Sequence, residues 1–286
     1  MAMHRHLYPT KIMAILLNVS RSAYYAWFNR VPGERAKENQ DLEYRIGSIF
    51  KAGRGTYGSP RIHAQLKHDG RSASPNRVAR IMTKLGLRAK TKRKFKSTTD
   101  SNHKLQVAPN ILNQNFVAAE KDQIWCSDIT YLRTAEGWLY LAVVIDLFSR
   151  RVVGWSMRDN MKKRLVLEAL DMALKSRKPA SGAIHHSDRG SQYCSKTYRA
   201  KLQANGLTAS MSRRANCYDN SVVESFFHTI KTEHVYFRSF QTKEEAKSSV
   251  FEFIEVFYNR QRLHSTLGYI SPVVYEERAD FSLSAV

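Results

Sequence analysis

Residues 138–145, which read WLYLAVVI, constrain the fold more than any other part of this chain. Eight consecutive apolar residues, rich in β-branched and aromatic types, indicate a strand that is buried on both faces. Similar residues fill 124–132, and a third strand is predicted for 151–157. Because the connections between these segments are short, the three strands should form an antiparallel meander.

Helical and strand patterns alternate after this meander. The predicted elements are a helix at 162–176, a strand that ends near His186, a helix at 196–205, a strand at 207–211 and a helix that begins near Asp219. The order βββαβαβα predicts an α/β fold in which helices flank a mixed sheet. A last amphipathic helix is predicted for 243–259, followed by a C-terminal tail at 271–286.

The residues before the sheet show helical patterns only. Residues 10–29 predict two short helices separated near Ser20, which is the layout of a helix-turn-helix. Further helices are predicted at 38–51 and, as a second pair, within 59–87. We therefore divide the chain into a helix-turn-helix-like segment at 1–30, a second helical region with a basic arm at 31–96, a linker at 97–115 and an α/β core at 116–270.

Positive charge is concentrated in the helical part. The formal net charge of the chain is +21; residues 1–115 hold 22 Lys and Arg against 6 Asp and Glu, whereas residues 116–286 hold 24 against 19. A basic region joined to a nearly balanced core is typical of a protein that binds a polyanion, and we expect nucleic acid. The alternative is a generic basic protein that binds nothing specifically.

The candidate nucleic-acid contacts of the helical part lie on one helix and on the segment behind it. The later helix of the 59–87 pair offers Arg77, Arg80 and Lys84 to a major groove. Residues 84–96 include seven basic side chains and no acid, which favours an extended arm that follows phosphates. The other candidates in this arm are Arg88, Lys90, Lys92, Arg93 and Lys94.

Cysteine content and hydropathy indicate the cellular compartment in which the protein is expected. Cys126, Cys194 and Cys217 are far apart and show no CxxC spacing, so neither a disulfide framework nor a structural zinc site is expected. No apolar run approaches the roughly 20 residues that cross a bilayer, and the N-terminus shows no secretory pattern. We therefore expect a cytoplasmic protein without a membrane partner.

Three carboxylates from separate predicted elements point to metal-dependent chemistry. Asp128 lies in the first strand, Asp188 closes the fourth, and Glu224 lies on the helix that follows the fifth. An aspartate in a buried strand is costly unless it is paired or binds a cation. Taken singly, Asp128 could be a strand-end residue and Asp188 an ordinary turn residue. The predicted strand order instead favours convergence of all three at one edge of the sheet.

Such a convergence suits Mg²⁺, which prefers carboxylate oxygens and needs few of them when phosphate and water complete its shell. Two ions about 3.5–4 Å apart activate an attacking oxygen and stabilise a leaving oxygen at phosphorus. We expect two Mg²⁺, with Mn²⁺ able to substitute. Asn220, His228 and Lys231 share one edge of the predicted helix with Glu224, which suits a metal and a phosphate; a solvated polar face is the alternative.

Five segments carry a family resemblance. They read WCSDITYL, LAVVIDLFSRRVVGW, HHSDRGSQYCS, CYDNSVVESFFHTIKTE and YNRQRLHSTLGYISPVVY. In this order they resemble the DDE transposases of the insertion-sequence-three family, second-reading-frame type, which are relatives of retroviral integrases. The resemblance covers nearly all of 116–276 and extends to the helices that contain YGSPRIHAQL and NRVARIM. Asp188 and Glu224 are separated by 35 residues, the interval typical of this group, and Lys231 matches its basic residue seven positions after the glutamate.

The resemblance implies a ribonuclease-H-like integrase catalytic core at 116–270. It also implies metal-dependent cleavage of DNA at insertion-sequence ends and transfer of the freed 3′-OH strand to another phosphodiester. Carried over by position, Asp128, Asp188 and Glu224 are the metal-binding catalytic triad. Lys231 is expected to touch DNA near the scissile phosphate, and Asn220 to order the helix start or approach that phosphate.

The resemblance further implies partners. These are double-stranded DNA of the element ends and the target, other copies of the chain on that DNA, and the family's upstream-frame product as a partner or fusion. A nucleoid-associated bacterial protein is implied as well. The chain departs from retroviral integrases because His63 and His68 have no matching cysteine pair for a zinc module. No sustained heptad is visible either.

Two other functions remain open at this point. A ribonuclease-H-like nuclease would hydrolyse DNA without strand transfer, although the helical N-terminal part and the integrase-type segments argue against it. A non-catalytic DNA binder would inhibit transposition by competing for element ends. Because all three acids are present, nothing in the sequence favours an inactive protein.

Overall fold

A five-stranded mixed sheet lies at the centre of the computed structural model, which describes residues 1–31, 33–90, 106–214 and 216–284. The strands are β1 (Ile124–Thr134), β2 (Gly137–Asp146), β3 (Val152–Arg158), β4 (Ile184–Ser187) and β5 (Thr208–Met211). Their order across the sheet is β3-β2-β1-β4-β5. The first three form the predicted antiparallel meander, whereas β4 and β5 run parallel to β1. The predicted order βββαβαβα is confirmed.

The apolar run on β2 is explained by burial of this strand on both faces. Leu139 and Leu141 belong to one hydrophobic core, and Ala142 and Val144 belong to a second core across the sheet. A strand covered on both faces needs apolar residues at nearly every position, so residues 138–145 lack the polar alternation of a half-exposed strand.

Helices cover both faces of the sheet. One face carries α6 (Lys163–Ser176) and α7 (Lys196–Ala204), and the other carries α8 (Ser221–Glu233) and α9 (Lys243–Phe251). Gly154 of β3 allows α6 to pack closely, because a Cβ at this position would lie 2.2 Å from the carbonyl oxygen of Ala169. A side chain there would push the helix away from the sheet.

Two predictions for the C-terminal part are corrected. The helix predicted for 243–259 is α-helical only as far as α9 and continues as a π-helical segment, Glu252–Tyr258, whose Phe253 and Phe257 are buried. The segment predicted as a tail contains α10 (Pro272–Ser284). Its Glu276 is buried and accepts hydrogen bonds from Arg151 and Arg177 of the core. These tertiary contacts leave no pattern in the local sequence.

Five α-helices precede the sheet in the described residues. They are α1 (Thr10–Leu16), α2 (Arg21–Phe28), α3 (Glu34–Ala52), α4 (Ser59–His68) and α5 (Pro75–Lys84). The side chain of Ser20 caps α2 by accepting from the Ala23 amide at 3.1 Å, and Ser74 caps α5 from the Arg77 amide at 3.2 Å. Among the described helices, none is both long and apolar enough to cross a membrane.

The turn between α3 and α4 packs against the C-terminal part of the core. The hydroxyl of Tyr57 accepts a hydrogen bond of 2.9 Å from the Leu263 amide. Arg54 forms an ion pair with Glu252 and lies 4.1 Å from the ring centroid of Phe257. The α3–α5 region and the sheet therefore share one continuous hydrophobic core.

The segment predicted as a linker, 97–115, is described from residue 106 onwards. The Met211 amide donates to the carbonyl of Pro109 at 3.2 Å, and the Ser210 hydroxyl accepts from the amides of Ile111 and Leu112. Residues 109–112 thus pack along the outer edge of the sheet beside β5.

Candidate active site

The strand register places Asp128 and Asp188 side by side. In the parallel pair β1–β4, Ser127 is the partner of Ser187. Asp128 follows Ser127 within β1, and Asp188 follows Ser187 directly after the end of β4. Neighbouring strands lie about 4.8 Å apart, and residues in register point to the same face. The two carboxylates therefore belong to one edge of the sheet. Each accepts one backbone hydrogen bond, Asp128 from Ile129 at 2.7 Å and Asp188 from Gly190 at 2.9 Å.

Glu224 reaches the same edge from the first turn of α8. This helix begins at Ser221 rather than near Asp219, because Cys217–Asn220 forms a 3₁₀ turn. Val223 and Phe227 bury the apolar side of α8 against the sheet. The Asn220 side-chain amide donates 3.2 Å to the carbonyl of Ser127, so the helix start is tied to the residue before Asp128.

Burial and the charges of the neighbouring acids both act on Asp128. Burial raises the pKa of Asp128 well above its usual range, and the charges of Asp188 and Glu224 add to this, while Lys231 opposes it. Burial also raises the pKa of Glu224. Two carboxylates side by side repel each other, and a divalent cation relieves such repulsion.

Lys231 follows Glu224 by two helical turns and lies at the same edge. Burial lowers the pKa of its ammonium, and the charge of Asp128 acts in the opposite direction. Its Nζ lies 5.0 Å from the ring centroid of Tyr131 on β1. A half-buried ammonium close enough to feel the charge of Asp128 can neutralise part of that charge or contact a phosphate.

The donor chemistry of this site fits a hard divalent cation such as Mg²⁺, because the three acids offer carboxylate oxygens only. The arrangement is open: among the described residues, no three His, Cys, Asp or Glu side chains are close enough to hold a metal ion. Asp128 and Asp188 are neighbours through the register, and the charge of Glu224 on α8 influences Asp128.

A buried hydrogen-bond network beneath the acids was not predicted from the sequence. His185 is 1% exposed, and its Nε2 lies 2.9 Å from the Ser127 hydroxyl and 3.1 Å from the Tyr198 hydroxyl. Burial lowers the pKa of His185 to about 3, which keeps the ring neutral. Tyr193 is buried beside this network, and its hydroxyl has no hydrogen-bond partner among the described residues. Consecutive polar residues on a predicted buried strand, here His185 and His186, were the available signal.

Asp219 is a second buried polar centre that the sequence reasoning missed. It is fully buried and accepts hydrogen bonds from the Arg213 side chain and from the side-chain amides of Asn110 and Gln114. The Arg213 guanidinium holds the pKa of Asp219 well below its usual range. These contacts fix the turn that leads into α8, and an acid just before a predicted helix is the signal that could have indicated them.

Some of the candidate DNA contacts of the helical region are paired with residues of α3, and the others are not. Arg77 donates to Asn39 and Glu38, and Lys84 pairs with Glu43, so both are engaged by α3. The others have varied positions: Arg80 and Arg88 are exposed, Lys90 lies over the ring of Phe237, and Lys92, Arg93 and Lys94 lie outside the described residues. His228 on α8 is exposed, and Asn220, directly before α8, is buried.

Comparison with protein families gives the class of protein. Residues 118–217 and 224–279 each match an integrase core domain, and residues 37–95 match an HTH-like domain. The chain is therefore an integrase-core enzyme with a preceding HTH-like region.

Relatives from insertion sequences narrow the class. The chain is 46% identical over 266 residues to the insertion element IS600 uncharacterized 31 kDa protein of Shigella sonnei, covering 93% of this chain and 98% of that protein. It is 43% identical over 277 residues to the transposase InsF for insertion sequence IS3A of Escherichia coli strain K12, covering 96% of both. The chain belongs to the IS3 family of insertion-sequence transposases and is a DNA transposase. The family resemblance drawn from the five segments is confirmed.

Solved structures include more distant neighbours. The simian T-cell lymphotropic virus intasome in complex with PP2A regulatory subunit B56 gamma has 14% identity and a TM-score of 0.47, with 77% of this chain and 74% of that chain covered. The HTLV-2 integrase catalytic core domain in complex with magnesium has 14% identity and a TM-score of 0.44, with 56% and 99% covered.

Proposed function

We propose that Asp128, Asp188 and Glu224 are the catalytic triad with which this transposase cuts element ends and joins the freed 3′-OH strand to another phosphodiester. The observation that carries the proposal is the register of β1 and β4, which sets Asp128 beside Asp188 at the edge approached by Glu224. A buried Asp128 next to two further acids is costly for folding, and a role in cation binding explains why the chain keeps these acids together.

The three carboxylates would hold two divalent cations, Mg²⁺ in the first place and Mn²⁺ as a substitute. Bound there, the cations supply Lewis-acid activation of the attacking oxygen and stabilisation of the leaving oxygen. The protein's own part is to hold the carboxylates close together, although burial disfavours the charged form of Asp128 and Glu224, and bound cations would stabilise that charged form. Asn220 contributes by fixing α8 to β1, so that Glu224 stands opposite Asp128.

The remaining candidate residues have roles in binding DNA. We assign Lys231 and the exposed His228 to the phosphate backbone near the reacting phosphodiester. Arg80 and Arg88 are exposed on the helical region and suit contacts to flanking phosphates, as do Lys92, Arg93 and Lys94 by their sequence. Arg77 and Lys84 would first have to leave their partners on α3, and Lys90 would have to leave Phe237.

The assembly on DNA is also a proposal. Joining one end to another phosphodiester brings two DNA segments together, so we infer a homo-oligomer on DNA in the bacterial nucleoid. A partner or fusion from the upstream reading frame stays a prediction from the family resemblance, since the matched regions are the integrase core and the HTH-like region.

A joining assay separates this proposal from the two alternatives. An end-labelled oligonucleotide that carries an element end would be incubated with the protein in Mg²⁺, in Mn²⁺ and in EDTA. We expect joined products, longer than the substrate, in both metals and none in EDTA. Cleaved products alone would favour a nuclease, and a gel shift without chemistry would favour an inhibitory binder.

A further inference from the structure

A pair of aromatic residues, the half-buried Tyr131 and the exposed Trp138, extends from Lys231 along β1 and β2. Tyr131, three residues beyond Asp128 on β1, packs edge-to-face against Trp138 of β2, with ring centroids 5.0 Å apart. The Lys231 ammonium lies 5.0 Å from the Tyr131 centroid. Lys231, whose pKa the charge of Asp128 influences, is thus followed by Tyr131 and then by Trp138.

The strand pairing leaves this part of β1 accessible. The pairing of β1 with β4 ends at Ser127, and the next described bridge on that side is the one between Thr134 and Phe240. Trp138 is 48% exposed although it is the largest type of side chain. Tyr236 is near enough for Tyr131 to help raise its pKa, in addition to burial, so a third aromatic ring borders the same area.

Cross-strand packing alone explains only part of this arrangement. A diagonal aromatic pair stabilises a hairpin, and that accounts for the contact between Tyr131 and Trp138. It does not account for the exposure of the Trp138 ring or for an ammonium placed beside Tyr131. An ammonium near an exposed aromatic ring matches a nucleotide, whose phosphate attracts the cation and whose base stacks on the ring.

A nucleotide-binding site next to the triad would help the DNA strand to reach the catalytic residues. A terminal base pair that is opened next to the cutting position frees the strand to enter the triad, and the cost of unpairing must be offset by new contacts. Stacking on aromatic side chains tolerates any base sequence, because every base has a π-face.

We propose that Tyr131 and Trp138 form a stacking platform for an unpaired nucleobase at the element end, with Lys231 on its phosphate. The proposal rests on the assignment of the active site above. Its occupant is a single-stranded segment of the DNA substrate rather than a second copy of the chain.

The platform can be tested with 2-aminopurine, a fluorescent base that is quenched by stacking on aromatic rings. The probe would be placed at each of the last three nucleotides of the element end, and binding measured in EDTA so that no DNA is cut. We expect quenching at one position with the full-length protein. Trp138→Leu, which keeps an apolar side chain without an aromatic face, should lose most of this quenching and bind a mismatched end about tenfold more weakly.

Matched variants make the result specific. Trp138→Phe should keep most of the quenching, since it keeps an aromatic ring. Phe251→Ala, at an exposed aromatic that packs on Trp155 of β3 at the far edge of the sheet, should leave both quenching and affinity unchanged. Equal quenching in wild type and Trp138→Leu would overturn the proposal.

Two further outcomes separate this proposal from others. If Trp138→Leu changes the oligomeric state in sedimentation but leaves quenching unchanged, the pair covers another copy of the chain and the platform is refuted. If Asp188→Asn keeps joining activity while quenching still depends on Trp138, the triad assignment fails and the platform stands.

Discussion

The Asn220 side-chain amide donates a hydrogen bond of 3.2 Å to the carbonyl oxygen of Ser127. This bond joins the start of α8 to β1 at the residue before Asp128, and Glu224 follows Asn220 by about one helical turn. Asn220 is 4% exposed, and its Oδ1 atom is buried without a hydrogen-bond partner among the described residues. Of the two roles predicted for Asn220, we propose that it orders the helix start, because of this bond and its burial.

Replacing Asn220 by alanine should therefore impair chemistry more than DNA binding. We expect Asn220→Ala to slow joining by about 10–100-fold, because Glu224 loses its fixed position, while affinity for the element end changes little. Joining rates at saturating DNA and gel-shift affinities measure the two effects. Asn205→Ala, which removes an exposed side-chain bond at the end of α7, is the control. A wild-type joining rate for Asn220→Ala would refute the positioning role.

Removing the charge of Asp128 should stabilise the protein when no divalent cation is present. The raised pKa of Asp128 means that the folded state holds this proton more tightly than the unfolded state, so its contribution to stability falls as pH rises above the usual aspartate range. In EDTA at pH 7.5, Asp128→Asn should unfold at a higher urea concentration, with a gain of about 1–2 kcal/mol.

The metal dependence of unfolding supplies the control for this prediction. Mg²⁺ should stabilise wild type more than Asp128→Asn, and the difference between the two proteins in EDTA should disappear near pH 3. Asp159→Asn, at an exposed acid, should behave as wild type throughout. A loss of stability in Asp128→Asn in EDTA would contradict the claim that the acids repel one another.

The elements that carry the triad could be predicted because their signals are local. The apolar run of β2 and the alternation of helix and strand after it indicate the sheet, and the spacing of Asp188 and Glu224 indicates the site. The network of His185, Ser127 and Tyr198 could not be predicted in the same way, because its hydrogen bonds join residues 13 and 58 positions apart. Hydrogen-bond partners that are this far apart in the sequence meet only through tertiary packing.

The hydrogen bonds of Arg77 to α3 could not be predicted from the sequence for a similar reason. From the sequence it lies on the polar side of α5, where a DNA contact is a reasonable interpretation. Its partners Asn39 and Glu38 lie nearly 40 positions earlier on α3, and only the packing of α5 against α3 brings them within 3.0 Å. Helical patterns show which side of a helix is polar but do not show which polar residues meet.

Glu233 should be important for the stability of the joint between α4, α8 and the C-terminal part. It accepts two hydrogen bonds of 2.7 Å from Arg262, which is 4% exposed, and one of 3.5 Å from Arg61. Glu233→Gln leaves the buried guanidinium of Arg262 without its counter-charge, so we expect a loss of about 3–5 kcal/mol in urea unfolding.

An exposed acid provides the matched control for Glu233. Glu34 pairs with Lys37 on the surface of α3, and exposed pairs of this kind contribute about 0–1 kcal/mol. Glu34→Gln should therefore unfold within about 0.5 kcal/mol of wild type. Similar losses in the two variants would show that the buried pair has no special role.

Stability should fall in mild acid because several histidines are buried in neutral form. Burial lowers the pKa of His185 to about 3 and the pKa values of His186 and His234 to about 4. The unfolded chain binds protons at these rings near pH 6.5, so the stability they contribute is complete above that pH and is lost as pH falls towards 4. Each ring contributes a slope of up to about 1.4 kcal/mol per pH unit.

Urea unfolding from pH 7.5 to pH 4 tests this dependence. We expect the free energy of unfolding to decrease steadily below pH 6.5, and His234→Gln to show a shallower decrease. His68→Gln, at an exposed ring, should keep the slope of wild type. A flat profile between pH 6.5 and 4.5 would show that the buried rings do not hold their neutral form.

The joining activity of Asp188→Asn measures the central claim most directly. The substitution keeps the shape of the side chain and removes the carboxylate that stands beside Asp128. With a labelled element end in Mg²⁺, we expect no cut or joined products above background, while gel-shift affinity stays equal to wild type or rises; Asp159→Asn should join normally. Joining by Asp188→Asn at the wild-type rate would contradict the assignment of this edge of the sheet as the active site.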